Sequence, residues 1–253
     1  MFTARNYVKA ASLEEAWTLN QKRSNGVLGG GCWMRLARRR YDTLIDLSGL
    51  GLEGVREEDG ALFLGAMTTL REVEESPVLR GAFGGYFKDC TRHIVGVQFR
   101  NCATLGGSVR SRFGFSDVLT ALLPLPGAAA VLYKGGSVPL TEYVNMEYDR
   151  DLLLGVRLPA EPRAAVYESV RNSETDLPVL TCGVCRTAEG YRAAIGARPG
   201  RAALLGGGSL EALTEQAEQL HYGTNLRAGA AYRQHLSGVL LKRALGRLEE
   251  AER

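Results

Sequence analysis

The sequence predicts an α+β protein, and three observations carry that class. Short apolar strands alternate with capped helices from the start of the chain to about Pro159. The last third then reads as strands Ala165 to Arg171, Leu180 to Arg186 and Tyr191 to Ala197, followed by helices Ser209 to Leu220 and Gly229 to Glu250. That succession suits an antiparallel sheet with helices on one face. Finally, two glycine-rich turns about 75 residues apart stand at strand ends without forming a Rossmann fingerprint. A G-x-G-x-x-G pattern beginning at Gly29 needs glycine at Met34, and no acidic residue follows a second strand at the proper distance.

Each element has a local reason. Ser12-Leu-Glu-Glu15 is a capping box that starts a helix through about Gln21, with Leu13, Ala16, Trp17 and Asn20 at helical spacing. Val27-Leu28 is a short strand that runs into Gly29-Gly30-Gly31. That triple glycine is either a tight strand-to-helix turn or a place where backbone passes close to a ligand. Thr43 to Leu47 and Ala61 to Leu64 are strands. Thr69-Leu-Arg-Glu72 is a second capping box, opening a helix to Glu75 that stops before Pro77. Val78 to His93 reads as one longer helix.

The most informative stretch runs from Gln98 to Leu123. Gly106-Gly107 lets the backbone turn and approach a ligand closely. Ser108, Ser111, Ser116 and Asp117 supply short hydrogen-bonding side chains after it. Val118 to Leu123 is apolar enough for a buried helix, with Ser116 or Asp117 as its N-cap. A loop between a strand end and a helix N-terminus suits phosphate, because aligned N–H groups point outward there. Gly206-Gly-Gly208 before Ser209 is a flexible turn with Ser209 as N-cap, or an anion site.

Composition bounds the function classes. At 253 residues the chain holds one large domain or two modest ones, and 45% hydrophobic with 23% charged residues is ordinary for a globular protein. A net charge of +3 is too small to argue for nucleic acid. Arg35, Arg38, Arg39 and Arg40 form a solvated helix end, or else a docking or phosphate-steering patch. Met1 to Tyr7 has no apolar signal-peptide core, and no run approaches the ~18 apolar residues of a membrane span. The longest candidate, Val118 to Tyr133, is cut by Pro124 and Pro126, so a cytoplasmic location is the default.

Cys32, Cys90, Cys102, Cys182 and Cys185 are odd in number and scattered, which does not suggest a disulfide framework. Cys182-Gly-Val-Cys185 sits in a stretch that reads as a strand, so its thiols are expected to be buried and structural. His93, His221 and His235 make no metal-ligand spacing, and no metal site is expected. No residue stands out as a catalytic acid or base.

The motifs in order resemble the FAD-binding, medium flavoprotein subunits of the molybdenum hydroxylase or xanthine dehydrogenase family. Val27-Leu-Gly-Gly-Gly31 resembles that family's first loop. Leu44-Ile-Asp-Leu47 and Leu64-Gly-Ala-Met-Thr-Thr-Leu70 resemble the strand and turn that follow. Gln98-Phe-Arg-Asn101 to Thr104-Leu-Gly-Gly107, with Ser116-Asp117 beyond, resembles the second loop. Leu152 to Pro159 resembles the strand that ends the flavin domain, and Asn225 to Arg233 followed by Val239 to Ala244 resembles the closing helix.

The resemblance implies a fold of the vanillyl-alcohol oxidase or PCMH type. The FAD-binding domain would cover 1–160, in subdomains of about 1–55 and 56–160, with a C-terminal α+β domain of the CO dehydrogenase flavoprotein type over 161–253. It implies non-covalent FAD. The first loop, Leu28, Gly29, Gly30, Gly31, Cys32, Trp33 and Met34, would wrap the pyrophosphate. Thr104, Gly106, Gly107, Ser108 and Ser111 would take the other side of the phosphates. Ser116 and Asp117 would hold the ribose or adenosine end. Ile94 would lie against the adenine or pyrophosphate region, and Leu153 against the flavin or adenine. Leu177, in the loop Arg171 to Pro178, would shield the isoalloxazine ring as a gate.

The implied partners are a molybdopterin-binding large subunit and a small subunit carrying 2Fe-2S clusters, with NAD or another acceptor taking the electrons. This chain itself lacks cysteine clusters for iron–sulfur ligation. The departures are Cys32-Trp33 in place of Thr-Asp, Ser108 in place of Asn, and Arg110 and Arg112 in place of small apolar residues. Trp33 would be core or would cover the flavin, and Cys32 would be the candidate if the flavin were tethered. The rival readings are a stand-alone flavin oxidase of this fold and a scaffold subunit without FAD.

Overall fold

Three sheets follow one another along the chain in this computed structural model, which describes residues 1–161 and 163–250. The expected C-terminal domain 161–253 therefore includes four positions, 162 and 251–253, that lie outside the described residues. The first sheet is parallel: β1 (Thr3–Lys9), β2 (Gly26–Leu28) and β3 (Arg40–Asp46) stand in the order β1-β3-β2. Parallel neighbours need a crossover, and helix α1 (Leu13–Asn20) supplies it between β1 and β2. Its cap differs slightly from a capping box. Ser12 Oγ accepts from Glu15 N–H at 3.1 Å, but the Glu15 carboxylate reaches back to the N–H of Ala11 at 2.7 Å. Ala16 buries against Ile45, Leu47 and Leu152.

The second sheet is antiparallel, in the order β4-β5-β8-β6-β7. Its strands are β4 (Val55–Glu58), β5 (Ala61–Gly65), β6 (Ala129–Leu132), β7 (Gly136–Pro139) and β8 (Leu153–Pro159). Six short helices lie between β5 and β6: α2 (Leu70–Glu75), α3 (Pro77–Phe83), α4 (Tyr86–Thr91), α5 (Val97–Arg100), α6 (Leu105–Arg110) and α7 (Asp117–Leu122). Helix α8 (Leu140–Tyr143) follows β7. The capping box at Thr69 is complete, with Thr69 N–H donating to Glu72 at 2.7 Å and Glu72 N–H to Thr69 Oγ1 at 3.1 Å.

The single helix expected from Val78 to His93 is two. Gly84 ends α3 with a φ of 57° and donates its N–H to the Arg80 carbonyl, so the chain turns before α4 begins. Gly106 and Gly107 also differ from expectation. They are not a loop but the first turn of α6, capped by Thr104, whose Oγ1 accepts from Gly107 N–H at 3.1 Å. Helix α7 is capped by Ser116 and buried along its length.

The third sheet is an antiparallel meander, β9 (Ala165–Val170), β10 (Leu180–Thr187), β11 (Gly190–Gly196) and β12 (Ala203–Gly208). Gly206 to Gly208 are thus the end of a strand rather than a turn. Ser209 caps α9 (Leu210–Glu218), and α10 (Ala230–Glu250) completes the domain. One face of this sheet packs on α9 and α10 through Val184, Ile195, Leu213 and Leu240. The other face joins the core of the second sheet through Tyr167, Cys185 and Ala194. Cys182 belongs to the first face and Cys185 to the second. Three residues apart on a strand, the two thiols point to opposite sides, so they neither bridge nor share a metal. All five cysteines are free.

Candidate functional site

A cleft of about 550 Å³ lies between the parallel sheet and the helices of the second sheet. Its floor is made by two backbone approaches. A Cβ on Gly30 would sit 1.6 Å from the Cys102 carbonyl oxygen, and one on Gly106 would sit 2.6 Å from the Ala66 carbonyl oxygen. Both glycines therefore let backbone meet backbone. What both approach so closely is the chain itself: Gly30 brings the loop after β2 against the segment leading into α6, and Gly106 seats the first turn of α6 on Ala66, just after β5.

That loop presents donors. Among the described residues, the N–H groups of Gly29, Gly30, Gly31, Cys32 and Trp33 make no hydrogen bond within the chain. Carbonyl oxygens of the same loop are engaged instead, as Gly31 O accepts from Arg35 N–H at 3.0 Å and Trp33 O from Leu36 N–H at 3.1 Å. A run of amides without intrachain partners is the kind of donor set that binds anions. It faces a cleft that Thr104, Gly107, Ser108 and Ser111 close from the other side.

Thirteen of the seventeen residues expected at the site line this cleft: Gly29 to Met34, Ile94, Thr104, Gly106 to Ser108, Ser111 and Leu153. The structure does not bring Leu28, Ser116, Asp117 or Leu177 to it. Leu28 is the last residue of β2, paired in register with Asp46. Ser116 Oγ caps α7 by accepting from Leu119 N–H at 3.2 Å and donates to Ser108 O at 3.1 Å. Asp117 is corrected from a ribose ligand to a structural group. Its Oδ1 accepts from Tyr167 OH at 2.8 Å and from Arg171 Nη2, both partners lying in or just after β9. Burial pushes its carboxyl up, and Arg171 and Tyr167 act against that shift.

Leu177 is half-buried in a loop tied elsewhere. Arg171 Nη1 donates to Asp176 O at 2.7 Å, and Arg227 Nη2 to Asp176 Oδ1 at 2.8 Å. The loop reaches toward the cleft only at Glu174, 3.8 Å from Nδ1 of His93 beside the cleft-lining Ile94.

Trp33 is neither core nor a closed cover. It lines the cleft at 37% exposure and packs against Phe99, Phe113 and Phe115 at ring distances of 6.0, 6.3 and 5.3 Å. Cys32 is half-buried, with its Sγ 3.6 Å from Gly30 O. Burial pushes its thiol up, which keeps it protonated and a poor nucleophile. The basic cluster is exposed but is not a helix end: a 3₁₀ turn covers Met34 to Leu36, and Arg40 opens β3.

Several lining residues carried no sequence signal as site residues, notably Asn25, Tyr41, Phe99, Tyr148 and Arg150. They come from four separate stretches of the chain, and only folding unites them. Arg110 had a signal, as an arginine where a small apolar residue is usual.

The donors fit a diphosphate, and the apolar walls at Ile94, Leu153 and Trp33 fit flat rings. Fold and cleft together define a site suited to a dinucleotide-type cofactor. The sequence profile of the FAD binding domain in molybdopterin dehydrogenase matches residues 2–161, and the chain belongs to that family. It is an FAD-binding oxidoreductase subunit of the molybdenum hydroxylase type. It is 27% identical over 252 residues to the Escherichia coli K12 protein YgfM, covering 93% of each chain. It is 26% identical over 210 residues to the putative xanthine dehydrogenase FAD-binding subunit XdhB of the same organism, covering 75% of this chain and 71% of that one. Its fold superposes on a chain of the cyanide-inactivated Cu,Mo-CO dehydrogenase with a TM-score of 0.86 at 24% identity, over 98% of each.

Proposed function

We propose that this chain carries electrons through FAD within a molybdenum-containing hydroxylase or dehydrogenase. Electrons would arrive from 2Fe-2S clusters on a small partner subunit, after substrate oxidation at a molybdopterin-binding large subunit. They would leave to NAD+ or another acceptor. The observation that carries the reading is the row of free amides from Gly29 to Trp33 facing the cleft.

FAD supplies the two-electron chemistry when bound. The residues of this chain bind and orient it. The amides of the first loop and Ser108 and Ser111 hold the diphosphate. Ile94 and Leu153 hold flat rings, and Trp33 with its phenylalanine neighbours excludes water from one wall. Around this rim Leu36, Val95, Val97 and Phe113 are exposed apolar side chains at 66%, 40%, 43% and 40%, which supports a partner seated there. No helix of the described residues is long and apolar enough to cross a membrane.

The test is an absorption spectrum of the purified chain before and after NADH, without oxygen. Flavin bands near one per chain that bleach with NADH are expected. Bands that persist move the acceptor elsewhere, or make access of NADH to the flavin dependent on partner subunits. A colourless chain that cannot take up FAD overturns the reading in favour of a scaffold. Acid precipitation should release all of the flavin, since Cys32 is held as a thiol.

A further inference from the structure

Free amides and glycines do not account for the arginines of the cleft. Arg39, Arg110 and Arg150 line it. Arg112 lies directly behind the wall at 3% exposure, with its guanidinium 4.2 Å from the Tyr143 ring centre and 4.9 Å from that of Tyr148. Arg110 is also over Tyr148, at 5.7 Å, and Tyr148 itself lines the cleft.

Little negative charge answers them. Asp149 accepts from Arg110 Nη2 at 2.8 Å. Asp151, the other acid of the lining, accepts from the N–H groups of Lys134, Gly135 and Leu152. Arg150 donates to neutral oxygens of Asn20, Lys22 and Asn25. Arg39 donates to the Arg23 carbonyl at 3.5 Å and stacks on Tyr41. Arg112 donates to the carbonyls of Met146 and Glu147. Nη1 of Arg110, and Nε and Nη2 of Arg112, are buried without a partner. Burial lowers the pKa of Arg150, and its neighbours Arg39, Arg110 and Arg23 lower it further.

We propose that Arg39 and Arg110, with Arg150 in the same lining and the buried Arg112 behind it, form the anion-recognising end of the cleft, and that Arg39 and Arg110 bind the adenosine diphosphate half of FAD. The proposal rests on the FAD reading above and adds to it a source of side-chain charge. Guanidinium groups suit phosphate because they offer planar, paired donors that stay charged. Binding is then strongly weakened by salt, as contacts made by amides alone are not.

The experiment is calorimetric titration of the flavin-free full chain with ADP, riboflavin, NADH and FAD, at low and high salt. Arg39→Gln and Arg110→Gln are compared with the parent, and melting curves verify that each is folded. ADP should bind alone and compete with FAD. Each variant should weaken ADP and FAD alike, by about tenfold or more, reduce the effect of salt, and leave riboflavin unchanged. The proposal is overturned if folded variants bind FAD as the parent does, or lose riboflavin as much as ADP. It is also overturned if they lose NADH while keeping FAD, which would assign the arginines to a second nucleotide. Binding of ADP without FAD or riboflavin would support the arginines and sink the flavin reading. Binding of none would sink both.

Discussion

Gly30 admits no side chain, because a Cβ there would overlap the Cys102 carbonyl oxygen at 1.6 Å. The collision is with backbone, so no rotamer relieves it, and the first loop must move off the segment leading into α6. Gly30→Ala should lose bound flavin and cost about 1–3 kcal/mol of stability, read by flavin content and by denaturant unfolding. Gly107→Ala makes a milder contact, 3.2 Å to Thr104 Oγ1, and should retain flavin. A second residue-scale group is Glu74, buried at 6% side-chain exposure between Arg100 at 2.8 Å and Arg71 at 2.9 Å. Burial pushes its carboxyl up, but the bonds from Arg100 and Arg71 outweigh it, and the net shift is downward. A carboxyl depressed in the folded state contributes stability that is present above its unfolded value near 4.5 and is lost as pH falls through the folded value. Glu74→Gln should therefore cost about 2–3 kcal/mol at pH 7 and flatten the loss of stability toward acid, measured as Tm against pH.

At the scale of elements, caps decide where the short helices begin. Helix α2 is only six residues and starts at the capping box of Thr69 and Glu72. Too short to be stable alone, it depends on that cap and on burial of Leu70 and Val73. Thr69→Ala should cost about 1 kcal/mol, and the Tm should fall by a few degrees with flavin content kept. Arg233 plays the corresponding part at the start of α10. It is fully buried and donates to Val179 O at 2.9 Å, Gly223 O at 2.6 Å, Ala228 O at 3.0 Å and Asn225 Oδ1 at 2.7 Å. This explains the stretch Asn225 to Arg233 as an anchor for the last helix, with no part in the cleft.

At the scale of the molecule, a buried polar cluster fastens the third sheet to the cofactor-binding part, beside the apolar contacts of Tyr167, Cys185 and Ala194. Asp117 on α7 joins Arg171 and Tyr167, with side-chain exposures of 6% and 7% for the ion pair. Tyr86 OH donates to Ala121 O at 2.7 Å, and Thr181 Oγ1 to Thr120 Oγ1 at 3.2 Å, beside it. Removing one partner leaves a buried charge, so Arg171→Leu should cost about 3–5 kcal/mol. The expected sign of that loss is separate melting of the C-terminal sheet while flavin absorbance is retained. A single transition in which flavin and sheet are lost together would instead show that the cleft depends on the joint.

The sequence by itself determined the capped helix starts, the short strands Val27-Leu28 and Ala61 to Leu64, and the two glycine stretches that frame the cleft. Those signals are local: a cap, a glycine or an apolar run acts within a few residues. Tertiary structure alone decided the rest. Strand β1 is exposed at six of its seven positions outside Val8's half-burial, so no apolar alternation marks it; pairing with β3 makes it a strand. Gly206 to Gly208 became strand because β11 lies beside them. Asp117 pairs with Arg171, 54 positions onward, and Arg39, Arg110, Tyr148 and Arg150 line one cleft. Such meetings depend on which distant side chain arrives first at a buried charge or an open wall, and spacing along the chain carries no record of it.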